Sequence, residues 1–157
     1  MFKVSFKETP KDPSKVVTRI GNKTTVILKG TVRLPAFFKD IPVEILDWIS
    51  GIEKVELYEN IVDNTLTVYS TGVAKCMEGD TYDYVLGERI AESRAKYCIY
   101  KFFFDLSLKL FDYYSALIFG KEGVVGKGSP GCIERDVKKY EALCIREAHH
   151  LGELLNN

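Results

Sequence analysis

Residues 71–96, TGVAKCMEGDTYDYVLGERIAESRAK, constrain the fold of this chain more than any other stretch. An alternating segment through Lys75-Cys76 enters an acidic, glycine-containing turn, and a helix follows whose first turns carry Gly87, Ala91 and Ala95 four residues apart. Side chains at that spacing stand one above another on a single helix face. With almost nothing projecting from that face, the helix axis can approach a sheet or another helix closely. The turn, Gly79-Asp80-Thr81-Tyr82-Asp83, offers Thr81 or Asp83 as a cap and places negative charge at the positive end of the helix dipole. A strand, a turn and a tightly packed helix are therefore expected in that order.

The preceding residues read as strands. Phe2, Val4 and Phe6 alternate with Lys3, Ser5 and Lys7, and Pro10 and Pro13 break the pattern. Residues 16–20 and 24–34 flank Gly21-Asn22-Lys23, a hairpin connection, with Val26, Leu28, Val32 and Leu34 on one face and Gly30 marking a bulge or a close approach. Residues 54–58 and 65–76 form a second hairpin around Val62-Asp63-Asn64. Between the hairpins, residues 35–51 hold a short helix opened by Asp40-Ile41-Pro42 and closed by Gly51. This insert either covers one edge or end of the sheet or presents Trp48 or Phe37-Phe38 as a stacking wall.

Two long helices complete the chain. The first spans about residues 83–119; its second half carries Phe102, Leu106, Leu110, Tyr113 and Leu117 on one side but Phe103, Phe111, Tyr114 and Ile118 on others. A helix apolar on several faces must be covered on several faces, so it should seat the C-terminal helix, form an oligomer interface, or both. Residues 120–131, GKEGVVGKGSPG, hold five glycines and read as a linker. Lys121 and Lys127 there suggest a phosphate cradle, but the Walker pattern is missing. The second helix covers about residues 130–155, with Ser129-Pro130 at its start and Ile133, Val137, Tyr140, Cys144, Ala148, Leu151 and Leu155 at spacings of three and four. The expected class is α+β: a single domain, residues 1–157, with an N-terminal antiparallel sheet of four to five strands over about residues 1–77, then the two helices.

Composition narrows the function classes. Twenty-two acidic residues balance 22 basic ones. Sequence-independent binding of long nucleic acid draws on a basic surplus, so that partner is disfavoured, whereas a small anion needs only two or three cations. Cys76, Cys98, Cys132 and Cys144 form no CxxC pair, and neither they nor His149-His150 have zinc-knuckle spacing. No metal or other cofactor is expected. With no signal peptide and no apolar run of membrane-span length, a cytoplasmic chain with reduced thiols is expected.

Paired Asp80 and Asp83 suit acid–base work or a divalent cation, but both also suit a helix N-terminus, and capping is the favoured account. Both histidines sit together near the end of the sequence and leave the Ser and Cys nucleophiles without an evident base, so an enzyme is not expected. Arg89, Arg94, Lys96 and Lys101 are better candidates. Arg89, Ser93, Lys96 and Tyr100 follow one another along one side of the first long helix, and Tyr97 and Trp48 supply further aromatic surface. A hydrogen bond to a charged group contributes roughly 1.5–3 kcal/mol, and stacking on an aromatic ring about 1–3 kcal/mol per base. The alternative is a solvated face laced with Glu88 and Glu92. Arg135 and Arg146 would join if the two helices pair.

The run Gly72-Val73-Ala74-Lys75-Cys76, Gly79-Asp80, Tyr82-Asp83, Gly87, Ile90-Ala91 and Arg94-Ala95 resembles a segment of small phage-encoded proteins. Its layout is similar to that of the Thoeris anti-defence sponges of the first type. The resemblance covers about residues 65–101 in motif and most of the chain in element order. It implies a symmetric homo-oligomer, built through the long helices, that sequesters a cyclic ADP-ribose-type or other small cyclic nucleotide signal without hydrolysing it, in host cytoplasm if phage-encoded. Expected ligand-binding residues are Arg89, Ser93, Arg94, Lys96, Tyr97, Tyr100 and Trp48. The alternatives are a double-stranded-RNA-type binding module and a protein-binding inhibitor of a host defence enzyme.

Overall fold

A computed structural model describes residues 3–6, 14–33, 42–52, 55–59, 64–81, 83–119 and 130–156. In chain order these form β1 (Val4–Ser5), β2 (Lys15–Ile20), β3 (Lys23–Arg33), α1 (Val43–Ser50), β4 (Val55–Glu59), β5 (Asn64–Lys75), α2 (Tyr84–Phe119) and α3 (Pro130–Asn156). The chain is α+β, with an antiparallel sheet followed by two long helices. Residues 120–129, including the suggested phosphate cradle and Ser129, lie outside the described residues. So do Phe37-Phe38, Leu34 and the 60–63 connection.

β3 and β5 form the spine of the sheet, paired from Lys23↔Lys75 to Arg33↔Thr65. β4 pairs with the first part of β5, from Glu59↔Asn64 to Val55↔Val68. On the other side of β3, β2 covers Lys23–Leu28 and β1 covers Thr31-Val32, so β1 and β2 follow one another along one edge. Both expected hairpins form. In the first, Ile20 pairs with Lys23, leaving Gly21-Asn22 as a two-residue turn with Gly21 at φ 57°. Glycine at the first central position suits the twist of the flanking strands. Asn22 also ties the turn to the end of β5: its side-chain amide donates to the Cys76 carbonyl and its own carbonyl accepts the Cys76 N–H, both at 2.9 Å. Gly30 marks close approach and not a bulge. The register runs through it unbroken, and a Cβ there would lie 3.1 Å from side-chain carbons of Ile99 and Val4.

Alternation divides the sheet into two faces. Val26, Leu28 and Val32 of β3 and Leu66, Val68 and Ala74 of β5 are buried on the face that α2 crosses. Across that contact Ala91, Ala95 and Ile99 are fully buried. The small-residue stripe meets its counterpart in Gly72: a Cβ there would overlap the Ala91 carbonyl oxygen and lie 2.9 Å from the Ala95 nitrogen. The opposite face carries Val16 and Ile27, opposed in register and both exposed.

Asp83 caps α2. Its carboxylate accepts the backbone N–H groups of Val85 at 2.9 Å and Leu86 at 3.1 Å, two of the donors that a helix start leaves unsatisfied. Replacing Asp83 by alanine should cost about 1 kcal/mol. Chemical denaturation will read this as a lower midpoint with an unchanged slope.

α3 pairs with α2 over its apolar second half. Phe103 stacks on Tyr140, with ring centroids 5.5 Å apart, and Ile133 joins Leu106 and Leu110 in the main core. The apolar surplus of α2 is thereby covered by α3, by the sheet and by α1. In α1, Ile45 and Ile49 are buried and Gly51 closes the helix with a right-handed conformation. Among the described residues, no helix is long and apolar enough to cross a membrane.

Candidate functional site

Of the line Arg89, Ser93, Lys96, Tyr100, Ser93 and Tyr100 are buried, Lys96 is half-buried and Arg89 is exposed. Ser93 is 2% exposed, and its hydroxyl donates to Glu147 Oε1 of α3 at 2.6 Å. Tyr100 is also buried, with the ring of Phe6 edge-on at 6.1 Å. Burial raises its phenol pKa, and the nearby Glu147 charge raises it further; Lys96, Arg146 and a hydrogen bond with Arg146 oppose the shift. Arg146 therefore does join the α2 line, as helix pairing requires, but in a seam that already contains its own carboxylate.

Lys96 is engaged on the opposite flank of the same seam. Its ammonium lies 2.8 Å from Glu92, which is also 3.2 Å from Lys15 of β2. Lys15 reaches Glu88 at 3.0 Å, and Arg19 reaches the other Glu88 oxygen at 2.6 Å. This ladder ties β2 to the first turns of α2. The Glu88 hydrogen bond raises the Lys15 pKa most, against a desolvation that lowers it, and Glu92 adds to the rise. Desolvation pushes Glu92 up, but Lys96 and Lys15 outweigh it and hold the carboxyl below its ordinary range. The expected solvated lacing by Glu88 and Glu92 is thus a set of specific contacts between elements.

Trp48 stacks on Phe102, with centroids 5.6 Å apart and planes 5° from parallel, and Lys109 Nζ lies 5.0 Å from its centroid. The insert helix covers part of α2, and the indole is occupied within the chain. Of the remaining expected residues, Arg89 is exposed and has no hydrogen bond or ion pair among the described residues.

Arg94 and Tyr97 lie on a different flank of α2. With Lys101 they recur at spacings of three and four, which places guanidinium, phenol and ammonium on one side of the helix. Arg94 and Lys101 are exposed and Tyr97 is half-buried. The Arg94 guanidinium donates to the Val73 carbonyl of β5. From Ser70 to Lys75 the outer edge of β5 has no strand partner among the described residues, and Arg94 stands beside that stretch. Lys101 is held loosely by Asp105 one turn on, at 3.4 Å. The arrangement combines an oriented guanidinium, an adjacent aromatic surface and a second cation, the donor set that a phosphate-bearing planar molecule requires.

The acidic turn borders a shallow cleft of about 350 Å³ lined by Lys75, Cys76, Asp80, Thr81, Gly87 and Ile90, among others. Asp80 and Asp83 both border this cleft and both are exposed, and Asp83 is engaged as the cap. Cys76, Cys98 and Cys144 are free thiols. Among the described residues, no cluster of three or more His, Cys, Asp and Glu side chains could hold a metal ion. His149 is exposed and His150 half-buried on α3.

Sequence reasoning missed Glu147 and Asp136, carboxylates buried between the helices. Their spacing from Tyr140, seven residues after and four before, is the signal that puts them on the packed side of α3. Comparison with protein-family models, with curated proteins and with solved structures gives no match to this chain.

Proposed function

We propose that this chain is a binding protein of phage anti-defence type, which captures a small cyclic nucleotide or cyclic ADP-ribose-type signal and holds it without turnover. The observation that carries the reading is the exposed flank of α2, where Arg94, Tyr97 and Lys101 follow one another at spacings of three and four and Arg94 is bonded to Val73, on a stretch of β5 whose outer edge has no strand partner among the described residues. Arg94 spends one donor on Val73 and keeps others for a phosphate, already oriented by that bond. Tyr97 offers a ring next to it, and Lys101 adds charge one turn further. Arg89, exposed nearer the start of the helix, extends the cationic surface. Ser93, Tyr100 and Trp48 act behind this surface by fixing α2 against α3 and α1. The resemblance of residues 65–101 to anti-defence sponges supports the choice of ligand class.

Calorimetry of the purified protein with cyclic ADP-ribose isomers and cyclic di- and trinucleotides tests the reading. One of them should bind, and mass spectrometry should recover it intact after heat denaturation of the complex. Arg94→Ala and Tyr97→Ala should each weaken that binding by about tenfold or more, with circular dichroism unchanged. Absence of heat with every ligand, or recovery of a cleaved product, sinks the proposal.

A further inference from the structure

β5 outruns its outer neighbour. It spans Asn64–Lys75, but β4 pairs only with Asn64–Val68, and from Ser70 to Lys75 the outer edge has no strand partner among the described residues. Two contacts fix which backbone groups point outward there. The Cys76 N–H donates to the carbonyl of Asn22, just before β3, whereas the Val73 carbonyl accepts from Arg94 on the other side. In an antiparallel ladder a residue turns its N–H and C=O to the same side, and the side alternates along the strand. Ser70, Gly72 and Ala74 therefore bond β3, while Thr71, Val73 and Lys75 present both groups to the open edge. Apart from Arg94 on Val73, those groups have no partner among the described residues. Charge surrounds this edge unevenly. Lys23 and Lys75 are opposed in register, share the sheet face turned away from α2 and are both exposed. Neither has an ion pair among the described residues, and like charges set directly opposite destabilise a sheet. Glu78 borders the same cleft as Lys75 but bonds neither lysine. On the α2 side, the exposed Arg94 spends a donor on the neutral Val73 carbonyl, a weaker acceptor for a guanidinium than a carboxylate.

We propose that this edge takes an extended acidic peptide segment of another protein as an added antiparallel strand. Exposed strand edges template pairing with another chain, and here Thr71, Val73 and Lys75 supply the main-chain ladder. Successive side chains of the added strand fall on opposite faces. An acidic residue opposite Lys75 meets both unpaired lysines. The next residue, opposite Ala74, lies on the α2 side, where Arg94 exchanges the Val73 carbonyl for its carboxylate. That carbonyl, once released, joins the ladder. Two consecutive acidic residues are thus the recognition feature, and a neutral strand leaves Arg94 in place over the edge. A second copy of the chain fits poorly, because pairing β5 with itself brings both copies of Lys23, Lys75 and Arg94 to one edge. The peptide shares Arg94 with the proposed nucleotide flank but is held by the main chain of β5, so this inference does not rest on the nucleotide reading.

The probe is an acetylated, amidated peptide, Thr-Glu-Glu-Val-Thr-Val-Thr, titrated into the isotope-labelled full chain and followed by amide hydrogen exchange. It should bind with a dissociation constant below about 1 mM. At saturation, exchange at Thr71, Val73 and Lys75 should slow by about tenfold or more, while Ser70, Gly72 and Ala74, already bonded to β3, change little. Replacing both peptide glutamates by glutamine should weaken binding by about fivefold or more, and Arg94→Ala should shrink that difference. Thr71→Pro removes an outward N–H without touching the β3 ladder and should weaken binding by about tenfold or more. If that variant fails to fold, a peptide N-methylated at the amides facing the edge replaces it and should bind as weakly. No binding at millimolar peptide overturns the proposal, as does binding without slowed exchange at the three outward residues, or binding indifferent to the glutamine change. Protection of those amides without peptide, rising with protein concentration, would assign the edge to a second copy and overturn it too. Nucleotide titration of Thr71→Pro keeps failure of this edge distinct from failure of the α2 flank.

Discussion

Gly72→Ala should destabilise the protein by about 3 kcal/mol and lower its thermal midpoint by roughly 6–12 °C. The added methyl would overlap the carbonyl oxygen of Ala91 and approach the Ala95 nitrogen at 2.9 Å. Both obstacles are backbone, held by hydrogen bonds within α2, so no rotamer change clears them. Either the helix rises from the sheet and loosens Ala91, Ala95 and Val26, or β5 bends and disturbs its pairing with β3. Two other glycines supply internal controls. At Gly30 the nearest atoms, 3.1 Å away, are side-chain carbons of Ile99 and Val4, which can shift by a few tenths of an ångström; alanine there should cost less. At Gly152, where the space is open, alanine should be neutral or stabilising by up to about 1 kcal/mol through helix propensity. Calorimetric melting of the three variants gives the order directly. A Gly72→Ala protein that melts like the wild type would remove close helix–sheet contact as the organising feature of the fold.

Those glycines also separate what a sequence can and cannot reveal. Gly87, Ala91 and Ala95 announce a close approach because helix periodicity alone puts them on one face. Hairpins, the Asp83 cap and the two-helix ending are legible for the same reason: each rests on a local rule linking residues a few positions apart. The surface met by the small stripe is not local. Gly72 becomes its counterpart only when β5 pairs with β3 and α2 crosses both strands.

Ser93 and Tyr100 show the same limit at the candidate site. A line of polar groups at helical spacing looks alike whether a ligand or another helix lies against it. Glu147, 54 positions away, decides the matter for Ser93 by accepting its hydrogen bond at 2.6 Å. The ladder from Lys15 and Arg19 to Glu88 and Glu92 is equally long-range; in a chain with equal numbers of acids and bases, many other pairings are compatible with the sequence. Arg94 and Tyr97 stay on an open flank because α3 and the sheet take the other sides of α2. Function in such a chain therefore rests on the groups left over after packing, which no count of cations identifies beforehand.

Packing also sets the behaviour of the seam in alkali, where Tyr140 provides the test. Its ring is fully buried against Phe103. Desolvation raises the phenol pKa above the ordinary value of 10.0, the Asp136 and Tyr100 charges add to the rise, and a hydrogen bond accepted from the Val4 backbone opposes it. Tyr100, in the same seam, is raised first by burial and then by Glu147. An unfolded chain ionises both phenols near pH 10, whereas burial in the folded chain moves both ionisations to higher pH. The unfolded state thus binds fewer protons there, and stability must fall as pH rises. The full contribution is present below about pH 10 and is lost progressively above it, at about 1.4 kcal/mol per pH unit for each phenol kept neutral. Tyr140→Phe should therefore be slightly less stable than the wild type at pH 8, having lost the Val4 bond, at a net cost of about 1 kcal/mol. Between pH 10 and 11.5 its stability should decline more gently, by about 1.4 kcal/mol per pH unit, so the two curves approach and cross. Lys15 adds to the alkaline loss in both proteins and cancels from the comparison. Urea denaturation at half-unit pH steps measures the slopes. Parallel curves for Tyr140→Phe and wild type would mean that the phenol ionises as freely in the folded protein as in the unfolded chain, and that α3 does not seal the seam against α2.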